Sequence, residues 1–164
     1  MAKTVSGYSS QQIWLHWVTV ALVAVQMIFH EGISRAFSTG LEEGALYISP
    51  PVILHFLFGS AITFLVMWRL MLRNDRGVPG PPEGEPQIFQ ILSKVAHWGF
   101  YSILLLLPVT GAIAWGSVSV TMGNAHEILK TALFILILAH VGAVIVHQFV
   151  WKTKVLDRMR NAVD

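Results

Sequence analysis

Four long apolar stretches, about Ile13 to Phe29, Val52 to Leu72, Val95 to Trp115 and Leu129 to Val150, alternate along this chain with polar connections rich in proline, glycine and charge. Each approaches or reaches the roughly 20 residues that a helix needs to cross a ~30 Å hydrocarbon layer. The pattern predicts an all-α fold, an integral membrane bundle of four spanning helices forming a single domain over residues 1–164. Trp14, His16, Trp17 and Gln26 interrupt the first stretch and no small-residue cleavage site follows it. It is therefore expected to stay as the first span rather than be removed as a signal peptide.

The connections differ in kind. From Asn74 to Gln90 the chain carries Gly77, Pro79, Gly80, Pro81, Pro82, Gly84 and Pro86, a density that forbids regular helix. From Glu31 to Pro51 it carries Glu31, Glu42 and Glu43 interleaved with Phe37, Leu41 and Tyr47, which fits a short amphipathic surface helix. Pro50 and Pro51 suit the first turn of the second span. Six tryptophans, Trp14, Trp17, Trp68, Trp98, Trp115 and Trp151, fall near span ends, where amphipathic rings favour the water–lipid boundary.

Charge then orients the bundle. Lys3, Arg69, Arg73, Arg76, Lys94, Lys152, Lys154, Arg158 and Arg160 belong to one side of a four-span protein, whereas only Arg35 and Lys130 belong to the other. Cytoplasmic loops are enriched in Lys and Arg, so both termini are expected in the cytoplasm and the 31–51 and 116–128 connections outside. A net charge of +2 and a pI near 9.2 thus describe membrane orientation, not nucleic-acid binding. The chain has no cysteine, which excludes disulfides, iron–sulfur ligation, thiolate catalysis and covalent c-type haem. Any redox group must be held non-covalently.

The chemistry lies in the histidines. His126, His140 and His147 share one stripe of the last apolar stretch, and the first two are 14 residues apart. That is almost four helical turns, or about 21 Å along the axis. His16 lies near the cytoplasmic start of span one and His55 near the outer start of span two, so depth alone pairs His55 with His126 and His16 with His140. Ionisable residues inside a bilayer usually face the interior with a partner or a cofactor. Two imidazoles at one depth suit a haem iron held on both axial faces, whereas zinc needs three or four ligands together. The expectation is two b-type haems stacked across the membrane. Gly59, Gly111 and Gly142 would give a flat macrocycle room, or would simply serve close helix packing. His97 lies at the depth of His16 and His140, as an alternative ligand or a substrate contact. His147 is expected to face the bundle interior, and His30 to be a boundary residue.

These residues carry a resemblance. Ile-Trp-Leu-His16-Trp opens span one. Leu-His55, Gly59 and Met67-Trp68-Arg69-Leu70 mark span two, and Ala96-His97-Trp98-Gly99 with Leu107-Pro108-Val109-Thr110-Gly111 mark span three. His126-Glu127, His140, His147, Phe149, Trp151 and Lys152 close the set. Over essentially its whole length the chain resembles the bacterial cytochrome b561 family, small four-span dihaem proteins of the inner membrane that include superoxide oxidase. The resemblance implies the same axial pairs, His16 with His140 and His55 with His126. It also implies electron transfer between a donor on one side and a quinone, ubiquinone in superoxide oxidase, on the other. For the quinone the candidates are His97, His147, Arg69 and Ser93. For an anionic donor at the outer haem the cations are Lys130 and Arg35, countered by Glu31, Glu42, Glu43 and Glu127. Two further readings stand beside the quinone-linked enzyme: a relay or membrane-anchor subunit serving a partner redox protein, and a haem-free structural or metal-handling bundle.

Overall fold

The computed structural model describes residues 4–163; Lys3, counted above among the cations of the terminal side, lies outside the described residues. Five α-helices run as α1 (Ser10–Ile28), α2 (Glu31–Glu43), α3 (Pro50–Asp75), α4 (Gln87–Gly116) and α5 (Val120–Ile145). A π-helical turn, Val146–Val150, extends α5, and a 3-10 turn, Asp157–Met159, follows. All but α2 are long and apolar enough to span a membrane. The segment expected as a short amphipathic surface helix is α2, ended by Gly44 in the left-handed conformation.

Local chemistry starts the helices where it should. Ser9 and Gln12 form a capping box at α1, each side chain bonding the other's backbone N–H, worth about 1 kcal/mol. Pro50 and Pro51 occupy the first turn of α3. The Ser119 hydroxyl accepts from the Met122 N–H at α5. Both α4 and α5 begin well before their apolar runs, at Gln87 rather than Val95 and at Val120 rather than Leu129. The apolar run marks only the part of a helix that faces lipid. The 30 residues of α4 extend about 45 Å at ~1.5 Å each, longer than the ~30 Å hydrocarbon layer.

The core is layered. Val23, Ile62, Leu104 and Leu133, one from each spanning helix, are buried in one cluster together with Val66 and Tyr101. Each of the four stands seven residues, close to two turns, from a histidine: His16 before Val23, His55 before Ile62, His97 before Leu104 and His126 before Leu133. A further seven residues reach Arg69, Gly111 and His140 in α3, α4 and α5. The bundle therefore holds polar residues at two levels and an apolar layer between them. Leu133 is the one fully buried residue of α5, which shows that the stripe carrying His126 and His140 faces inward.

Packing closes three sides more tightly than the fourth. The close neighbours are α1 on α3, α3 on α4 and α4 on α5; among the described residues α5 packs closely with neither α1 nor α3. At the end where both termini lie, three distant stretches are knitted into a cap. Strand β1 (Thr4–Val5) pairs in parallel with β2 (Val78–Pro79) of the α3–α4 loop. Gln12 Nε2 donates to the Gly77 carbonyl, Arg158 to the Gly80 carbonyl, Trp17 Nε1 to the Met159 carbonyl and the Val163 N–H to the Tyr8 carbonyl. At the opposite end α2 covers the bundle, with the Phe37 ring against Gly123 of α5.

A Cβ at Gly123 would lie 2.9 Å from Phe37 Cε1. Gly123→Val should therefore displace α2, cost about 1–3 kcal/mol by overpacking and speed limited proteolysis between Glu31 and Glu43. Unchanged cleavage would mean that this contact does not seat α2.

Candidate functional site

At the α2 end, His55 of α3 and His126 of α5 face each other with ring centroids 6.2 Å apart and planes inclined at 62°. Two imidazoles bonded from opposite sides to one metal at about 2 Å each hold their ring centres about 6 Å apart, so the spacing suits an axial pair. His126 is aimed by α4. Its Nδ1 donates to the Leu107 carbonyl at 2.9 Å and lies 3.3 Å from the Thr110 hydroxyl, which leaves Nε2 unprotonated and free to ligate. Pro108 sits in the same turn and removes a backbone donor from it. Nδ1 of His55 is buried without a hydrogen-bond partner, an expense that a ligand on that nitrogen would relieve. Gln26 Nε2 donates to the His55 carbonyl and ties this turn to α1.

Gly111 completes that level. A Cβ there would lie 3.2 Å from both Cε1 and Nδ1 of His126, so the absence of a side chain lets α4 approach the imidazole. Gly59 has ordinary clearance, 3.5 Å to Gln26 Nε2, and Gly142 faces open space, so neither is required by a close approach.

At the termini end the second level gathers four residues, one per spanning helix. His97 and His140 meet edge to face with centroids 5.7 Å apart, and Phe100 packs on His140 at 5.4 Å. His97 Nδ1 donates to the Ser93 carbonyl at 2.6 Å, so Ser93 acts through its backbone while its side chain is exposed. His16 lies within electrostatic reach of Arg69, His140 and His97. An Arg69 guanidinium nitrogen lies 3.2 Å from His16 Nδ1; arginine can only donate, so Nδ1 accepts. The structure thus brings both candidates for pairing with His140 to one depth, with His97 the nearer ring.

Other residues singled out in the sequence stand elsewhere. His147 turns away from its stripe in the π-helical segment; its Nε2 lies 3.2 Å from Glu85 Oε1 and its Nδ1 2.9 Å from the Thr153 hydroxyl. Both side chains of this pair are nearly enclosed, at 13% and 4% exposure, beneath Trp151. His147 therefore belongs to the cap rather than to the bundle interior. His30 is a boundary residue, its Nδ1 donating to the Met27 carbonyl at the end of α1. The two cations of the α2 end are both engaged: Arg35 pairs with Glu31, holding that carboxyl below its ordinary range, and Lys130 pairs with Glu127 at 2.6 Å. Glu85 and Thr153 escaped the sequence reading because loop residues carry no periodicity. The Arg69 and Gly111 levels were legible in the 14-residue spacing to His55 and His97.

These side chains fit a flat group held between two imidazoles: the spacing of His55 and His126, the partnerless His55 nitrogen, the bare Gly111 and the looser contact of α5 with α1 and α3 all agree. The comparisons with known proteins point the same way. The sequence profile of prokaryotic cytochrome b561 matches residues 7–162. The chain is 30% identical to cytochrome b562 of Cereibacter sphaeroides, over 93% of this chain and 94% of that one. It is 26% identical to a probable superoxide oxidase CybB of Yersinia pestis, over 93% and 94% respectively. To cytochrome b561 homolog 1 of Escherichia coli it is 24% identical, over 93% and 96%.

Gly111→Val should push the His126 imidazole from its position and lower haem per chain, whereas Gly142→Ala, facing open space, should retain the full complement. Absorbance of the purified proteins checks both, and equal haem in the two variants would remove Gly111 from the site.

Proposed function

The chain belongs to the prokaryotic cytochrome b561 family, a family of membrane electron-transfer proteins that implies b-type haem, and from that premise we propose a quinone-linked oxidoreductase with two such haems. It is a multi-pass protein of the bacterial inner membrane. The observation that carries the proposal is the facing pair His55 and His126, with His126 fixed in the tautomer that leaves Nε2 free. His55 with His126 and His16 with His140 would hold the two haems, both termini would be cytoplasmic, and the α2 end would be the outer one. The net reaction takes one electron from each of two superoxide anions, giving two dioxygen molecules, and delivers both electrons with two protons to ubiquinone, giving ubiquinol.

Each haem, when bound, supplies a one-electron couple in a low-dielectric setting. The residues do the rest. His126 is held in register by the Leu107 carbonyl, and the layer of Val23, Ile62, Leu104 and Leu133 keeps water and protons from passing between the two levels. Protons for the quinone come from the cytoplasmic end, where His97 and the Glu85–His147 pair lie at or beside the second level. A histidine ring can both give and accept a proton, which suits it to that task. Arg69, which donates to His16, and Ser93, whose carbonyl accepts from His97, stand beside them.

One observation favours a second reading, a relay that takes electrons from a partner redox protein. Lys130 and Arg35 are both neutralised by carboxylates, and Glu42 and Glu43 remain exposed, so the outer face offers little attraction to an anion.

Pyridine haemochrome analysis of detergent-purified protein is expected to give two b haems per chain, falling to one in His55→Ala and in His126→Ala. Superoxide should reduce the wild type and a soluble ubiquinone reoxidise it. Two haems that superoxide leaves oxidised would select the relay reading; a colourless protein would end both.

A further inference from the structure

Arg69 is a guanidinium placed deep in an apolar bundle with no carboxylate beside it. It stands 14 residues after His55 on α3, as His140 stands 14 after His126 on α5, and both helices run in the same direction from the α2 end. It therefore lies on the inward face of α3 at the depth of His140. Its guanidinium sits 5.9 Å from the Tyr101 ring centre, and Arg73, one turn nearer the termini, sits 5.8 Å from the Trp98 ring centre. The ion pairs among the described residues are Glu31 with Arg35, Glu127 with Lys130 and Glu85 with His147, so neither Arg69 nor Arg73 has a carboxylate within 4 Å.

Aromatic faces offset only part of the cost of a desolvated cation. A guanidinium has five donors, and the hydrogen bond that Arg69 makes goes to His16 Nδ1. Tyr8 adds a hydroxyl within electrostatic reach of Arg69, Arg73 and Arg158; its burial raises the phenol's pKa, so the group stays a donor. The cluster is thus rich in donors and positive charge, and what it lacks is an anion with several oxygens. Through Arg69 it adjoins the level of His16, His97 and His140.

We propose that Arg69 and Arg73, with Tyr8 as a third donor, bind the propionate carboxylates of the haem at the termini end and raise its reduction potential relative to that of the outer haem. This rests on the two-haem reading above. Arginine matches a carboxylate with two parallel hydrogen bonds, and Arg69 stands at the level of the histidines that would hold the ring. The assignment also settles a conflict over His16. Ligation through Nε2 requires the ring proton on Nδ1, the atom to which Arg69 donates; a guanidinium engaged by carboxylates releases that nitrogen. Positive charge beside a haem favours the reduced, less positive iron, so its loss lowers the potential.

The test is a spectroelectrochemical titration in neutral detergent of the His126→Ala protein, which on the two-haem reading keeps the termini-end haem, alone and with Arg69→Gln, Arg69→Lys or Arg73→Gln. Arg69→Gln should shift the reduction equilibrium by about tenfold toward the oxidised form, about 59 mV for one electron. Arg69→Lys should restore most of the shift, and Arg73→Gln should show a smaller one of the same sign. Should Arg69→Gln lose its haem, the sign of the Arg73→Gln shift decides. An unchanged potential, a shift that lysine does not restore, or one seen only in vesicles of anionic phospholipid would overturn the inference, the last by assigning the arginines to lipid phosphate. Wild-type protein without haem would overturn the two-haem reading and this inference together, whereas two haems with unshifted potentials would overturn this inference alone.

Discussion

Everything in this fold answers to the cost of polar groups in hydrocarbon. Histidine, arginine and glutamine side chains that face lipid would each be left without partners, so the chain collects them at two levels and satisfies them across helices. Leu107 and Thr110 of α4 serve His126, Ser93 serves His97, Gln26 serves the turn of His55, and Arg69 serves His16. Between the two levels one buried apolar residue from each helix makes a dry partition. A seven-residue interval, nearly two turns, is what allows four helices of different direction to keep the same three levels in step.

That economy has a cost in packing. Only Leu133 of α5 is fully buried, and α5 rests closely on α4 but on neither α1 nor α3. In a water-soluble bundle so thin a core would be inadequate. Here lipid covers the outward faces, and a bis-imidazole group filling the seam between α5 and its two looser neighbours would provide the missing contact area. The same seam is where both proposed axial pairs reach across, so cofactor and core are one problem solved once.

Much of this was legible in the sequence because the bilayer imposes a long, simple period. The four helices long and apolar enough to span, the amphipathic helix α2, the prolines opening α3 and the inward stripe of His126 and His140 follow from hydropathy and spacing alone. Helix ends did not: Gln87 to Lys94 and Val120 to Ile128 are helical although polar or mixed, since a helix continues into water wherever its caps allow. His147 was also misplaced by periodicity, because a π-helical turn breaks the register that the stripe assumed and brings the ring to Glu85. Contacts made by the proline-rich loop have no periodic signature, so Glu85, Gly77 and Gly80 emerged only in three dimensions.

The cap at the termini end sets an order of events for biosynthesis. Its parts come from residues before α1, from the loop after α3, and from residues after α5, where the Val163 N–H meets the Tyr8 carbonyl and Met159 receives the Trp17 indole. Residues 159–163 must be made before those bonds can form. During synthesis, α1, α3 and α4 are already in the membrane while that end still stands unlatched. Residues 153–163, which follow the last span, thus behave as a clasp that shuts only once all four spans have been made.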